Sequence, residues 1–120
     1  MNNTSPNKDN FILAKKVKEF ILTIEPLLEN IPKKDLYNRD QIREELIDLL
    51  RNIYNANLIK VDKERKLYLQ ELVIVDLKVI DFYLERMYIY KYISKKQLKE
   101  RTSKLDEINK ITRGWIKTSA

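Results

Sequence analysis

Apolar residues recur at intervals of three and four along nearly the whole chain, the spacing of one face of an α-helix. Ala14, Val17, Ile21, Ile24, Leu28 and Ile31 form a narrow seam that predicts a first helix over residues 10–31. Pro26 falls inside it. Its ring removes the amide bond to residue 22, so a kink or an early stop near Glu25 is expected. Ile42, Leu46, Leu49 and Ile53, with Leu36, Leu50 and Tyr54 alongside, predict a second helix over 35–57, capped by Asp35 or Asn38. Arg39 and Arg43 lie on or beside that apolar face, where each must snorkel or find an acid.

A third helix, 63–92, follows with Asp62 as its cap. Its apolar sector, including Leu69, Leu72, Val73, Val75, Val79, Ile80, Phe82 and Leu84, covers more than half the circumference and leaves a polar strip of Gln70, Glu71, Lys78, Asp81 and Glu85. Such a helix needs cover on two sides, and a four-helix bundle supplies one; the other is expected to meet another subunit rather than stand as an exposed patch. Asp76 lies inside the sector. In a hairpin turning near residue 60 its level mate is close to Arg43, and the two are expected to pair. The last helix starts after Ser94, whose hydroxyl with Gln97 three residues on makes a capping box. Leu98, Leu105, Ile108, Thr112 and Trp115 form its inner face, with Trp115 as a lock at the bundle end.

Three short connections predict an all-α, antiparallel, up-down-up-down four-helix bundle, with residues 1–9 as a flexible arm and 10–118 as one domain. Composition agrees: 120 residues bound one core, and a single glycine with three prolines leaves little turn chemistry for sheets. The absence of cysteine, of any apolar run near the roughly 18 residues of a membrane span, and of a signal-peptide pattern leads to the expectation of a soluble, cytoplasmic protein.

Charge changes the picture most. Residues 91–120 hold nine lysines and arginines against three acids, whereas residues 1–90 hold fifteen of each sign. The whole net charge of +6 therefore sits on the last helix and the turn before it. Opposite its apolar face lie Lys96, Lys99, Lys110 and Lys117 with Ser103, flanked by Lys95, Lys104 and Arg113. A confined excess makes a field that attracts phosphates, and lysines without alternating aromatics imply contacts to backbone with little base readout. Tyr83, Tyr88, Tyr90 and Tyr92 could stack on bases, but core and subunit packing is the expectation for them.

Catalysis finds little to work with. Histidine and cysteine are both absent, and the only glycine is Gly114, so neither a histidine base, a thiolate nor a glycine-rich phosphate loop can be built. Glu44, Glu45 and Asp48 lack the histidine that a di-metal bundle needs and are expected to form a solvated face. No catalytic residue, metal or cofactor is expected.

The run Tyr92-Ile93-Ser94-Lys95-Lys96-Gln97-Leu98, then Leu105-Asp106-Glu107-Ile108 and Gly114-Trp115-Ile116-Lys117, resembles the C-terminal signature of the Avd-like four-helix-bundle proteins. These include the accessory variability determinant of diversity-generating retroelements and, more distantly, the ribosomal-RNA intervening-sequence proteins. Ile31-Pro32-Lys33-Lys34, Arg39 and the link through Ala56-Asn57 fit as well, while Asn109 and Arg113 stand where the family often has glycine. The resemblance implies a basic homopentamer that binds RNA or DNA and associates with a reverse transcriptase to support mutagenic cDNA synthesis. Five copies would bring the charge to about +30, enough for a steep salt dependence.

Overall fold

The computed structural model describes residues 11–120, and the arm expected over residues 1–9 lies outside them. Among the described residues four helices make up the fold: α1 (Ile12–Leu28), α2 (Leu36–Leu58), α3 (Lys63–Ile89) and α4 (Lys95–Ser119), with a 3₁₀ turn, Lys33–Asp35, leading into α2. Each arises where its apolar spacing predicts it. α1 runs through Pro26 and stops two residues later, as Asn30 and Ile31 turn back to the carbonyls of Leu27 and Leu28. The carbonyl that Pro26 leaves without its amide belongs to Leu22, an exposed residue, which keeps the cost of the proline low.

The main contacts run α1–α2, α2–α3, α3–α4 and α4–α1, so the helices pack around one core. Val17, Ile24 and Leu28 of α1, Leu49 and Ile53 of α2, Val73 and Ile80 of α3 and Ile108 of α4 are sealed within it. Polar contacts join the walls. Asn52 donates to Asp76 at 2.7 Å, the Lys66 ammonium to the Ile59 carbonyl at 3.2 Å, and the Tyr92 phenol to Asp35. Lys16 pairs with Glu107 at 3.3 Å, and Phe11 meets Trp115 edge to face at 5.4 Å, locking the start of α1 to the end of α4. No helix among the described residues is long and apolar enough to cross a membrane.

Two expectations about α3 need correction. Asp76 takes its hydrogen bond from Asn52, while Arg43 pairs with Glu29 at 3.2 Å and lies 4.0 Å from Asp40. α2 and α3 are offset: residues 63–65 begin α3 exposed, and the residue that meets Asp76, Asn52, lies more than two turns further along α2 than Arg43. Gln70, read as part of the polar strip, is buried and donates to the Ser119 hydroxyl at 3.3 Å. The C-terminal turn of α4 covers that position. Asp35 begins α2 without capping it, because its carboxylate accepts from Asn38 and Tyr92 instead of a backbone amide.

Candidate nucleic-acid interface

α4 starts with the expected capping box: Gln97 donates its backbone amide to the Ser94 hydroxyl at 3.1 Å, and its side chain accepts from the Ser94 amide at 2.9 Å. Leu105, Ile108 and Thr112 are buried, and Leu98 and Trp115 are half-buried against the core. The opposite side is therefore held toward solvent. Lys95, Lys96, Lys99, Lys104, Lys110, Arg113 and Lys117 are all exposed, and among the described residues none of the seven forms an ion pair.

The arrangement is less uniform than a single row. A turn of about 100° per residue gathers Lys95, Lys99, Lys110, Arg113 and Lys117 into one sector with Lys96 beside it, but carries Lys104 round toward α1. There Lys104 shares a groove with Thr23 and Arg101. Glu107 is drawn to Lys16, and Glu100 lies 3.5 Å from Arg101, which leaves Asp106 as the acid inside the basic sector. The cations thus form two groups. Lys95, Lys96 and Lys99 sit at the start of the helix, and Lys110, Arg113 and Lys117 sit about 25 Å further along it.

The first group works against the helix it stands on. The N-terminal end of a helix carries partial positive charge, and a lysine there costs about 0.3–1 kcal/mol where an acid would stabilise. The first turn of α4 contains no acid. Folding stability alone does not call for those lysines, whereas attraction of an anion does.

The turn before α4 brings aromatic side chains to the same end. α3 closes with Lys91 in the left-handed region at φ 66°, the Lys91 amide donating to the Tyr88 carbonyl and the Tyr92 amide to the Met87 carbonyl. This is the Schellman pattern, in which glycine is the usual occupant of the Lys91 position. Tyr83 and Tyr92 are half-buried, Tyr92 being fixed by Asp35 and by Asn30, whose amide donates to the Tyr92 carbonyl at 3.0 Å. Its bond to Asp35 raises the pKa of the Tyr92 phenol. The Arg86 guanidinium lies 5.7 to 5.9 Å from the ring centres of Phe82, Tyr83 and Tyr90. Tyr88 remains at the surface, facing an open cavity of about 590 Å³ lined also by Ile89, Lys91, Tyr92, Ile93, Ser94 and Gln97. Residue-by-residue reading did not place Tyr88 and Lys91 beside the lysines, although they stand only six and three residues before Ser94; the tight turn between them and α4 was the available signal.

On α2, Glu44 and Glu45 part company. Glu44 is exposed as expected, but Glu45 is half-buried. Burial, then the neighbouring Asp76, Asp48 and Glu44, push the Glu45 carboxyl up to about 6. Burial also raises Asp76, partly offset by the bond from Asn52. Among the described residues no group of three or more acids converges as metal ligands would. No family model matches the chain, and no curated protein matches it either.

Proposed function

We propose that this protein is a non-catalytic, cytoplasmic accessory factor that assembles with copies of itself and binds RNA or DNA through the phosphates, serving a reverse transcriptase. The observation that carries polyanion binding is the unpaired basic side of α4 on a chain whose first ninety residues are neutral. Contacts would be mostly to backbone, because lysines are point charges without a fixed hydrogen-bond fork. The reverse-transcriptase partner and a ring of five copies are supported by the resemblance of the C-terminal run to Avd-like proteins.

An antiparallel, up-down-up-down order belongs to the same reading. It is supported by contact pairs whose numbers fall on one helix as they rise on the next, Asn52 with Asp76 and Asp35 with Tyr92, or Phe11 with Trp115 and Lys16 with Glu107. Self-assembly is supported by α3. Tyr68, Leu72, Val75, Val79, Phe82, Arg86 and Ile89 follow one another by alternating steps of four and three on its outer side, and Tyr68, Val75, Phe82 and Ile89 are each more than half exposed. That is the spacing by which one helix packs on another along a coiled-coil seam. Glu71, Lys78 and Glu85 flank it at seven-residue intervals, so a second copy running the other way can set Glu against Lys.

The test is charge reversal. Lys96, Lys99, Lys110 and Lys117 replaced together by Glu should abolish gel-shift binding of RNA and DNA while the circular-dichroism spectrum and melting remain those of a folded bundle. Unchanged binding refutes the assignment. In the wild type, log affinity should fall linearly with log salt whatever sequence is offered. The same α3 seam favours a second reading, a protein-interaction module without a nucleic-acid partner; in that case the titration shows no binding while self-association persists.

A further inference from the structure

We infer that the α3–α4 turn is a stacking site for an unpaired nucleobase, so that the protein prefers single-stranded nucleic acid to duplex. The inference rests on the nucleic-acid reading above and names the strand form that reading leaves open.

Tyr88 is the ring free to do this. Tyr83 and Tyr90 are taken up by Arg86, and Tyr92 by Asp35, whereas among the described residues Tyr88 has neither an aromatic partner nor a hydrogen bond to its phenol. It is 38% exposed and faces the open cavity together with Ile93 and Gln97. At about 590 Å³ that cavity falls in the range of about 300–1,000 Å³ typical of small-ligand sites, and its apolar wall suits the face of a base.

Cations sit where the strand attached to such a base would run. Lys91 lines the cavity and is held at φ 66°, a conformation a glycine would adopt at less cost, and Lys95 and Lys96 follow Ser94 directly. A lysine kept in a strained turn beside an unoccupied ring is accounted for if its charge is used there. Stacking on Tyr88 needs a base whose face is uncovered. In a duplex each face is already covered by the neighbouring pair, so only the lysines can engage it; a single strand engages lysines and ring together.

The experiment is fluorescence anisotropy at fixed salt with a short labelled oligothymidylate and with the same strand annealed to its complement. The wild type should bind the single strand more tightly. Tyr88→Ala should weaken that binding about 5- to 100-fold, leave duplex binding unchanged and keep the helical circular dichroism, while Tyr88→Phe should bind as the wild type does. Equal affinity for both forms, or a Tyr88→Ala variant that retains full single-strand affinity or loses both forms equally, overturns the inference and leaves phosphate binding standing. Binding to neither form overturns the nucleic-acid reading and this inference with it.

Discussion

At the scale of single residues, the chain departs from the most stable choice at identifiable places, and Lys91 is the clearest. A non-glycine residue in the left-handed region costs roughly 1–2 kcal/mol, while glycine would lose about 0.5–1 kcal/mol through its freer unfolded chain. Lys91→Gly should therefore raise stability by about 0.5–1 kcal/mol in a urea titration, and if the lysine serves an anion it should weaken nucleic-acid binding at the same time. A stability loss would show that the lysine makes a contact of greater value than the strain. Position 91 could be seen in the sequence as a turn. Its backbone angle could not, because the closing pattern of α3 depends on where Met87 and Tyr88 present their carbonyls.

At the scale of elements, the α2–α3 pair carries an electrostatic liability. Glu45, Asp48 and Asp76 are close enough for the charges of Asp76 and Asp48 to add to burial in raising the Glu45 pKa from 4.5 to about 6. The folded state thus holds that proton more tightly than the unfolded chain does. The associated stabilisation is complete below about 4.5 and is lost as pH rises through about 6. Glu45→Gln should therefore be more stable than the wild type at pH 7, by less than about 2 kcal/mol because solvent screens a half-exposed group, and the advantage should vanish toward pH 4.5. Thermal melts of both proteins across that range check it; a gap that widens on acidification contradicts the assignment. The grouping was illegible in the sequence, since the stagger of α3 against α2 determines which acids meet. Helix spans and the Ser94–Gln97 cap were legible, because they depend on side chains within a turn of one another.

For the molecule as a whole, the question is what covers the outer side of α3. All four helices contribute buried residues to the core, and yet Val75 and Phe82, both on the outer heptad spacing, remain 53% exposed. If copies of the chain meet there, Val75→Glu with Phe82→Glu should shift light scattering from an assembly to a single protomer. The protomer should stay folded, since neither side chain belongs to the core and surface changes cost within about 0.5 kcal/mol. A wild type that is already a single protomer would remove the support for self-assembly. Together the two proposals give one picture, in which α3 would join copies and α4 would face the polyanion.

Although Leu13, Phe20 and Leu27 are buried outside the seam read for α1, the amino-acid sequence alone was enough for the four helices, most of their shared core, and the net charge carried by α4 and the turn before it. Those properties follow from periodicity and composition, which act within a few residues of each position. The packing of the helices was needed to show that Asp76 meets Asn52 rather than Arg43 and that Gln70 lies under the end of α4. It also brought Tyr88 and Lys91 to the mouth of one cavity beside the first lysines of α4. Asp76 and Gln70 share one cause. Helical period determines which side of a rod is apolar, but the offset between rods depends on how their side chains interlock, and a shift of one turn, about 5.4 Å, exchanges every partner across the interface.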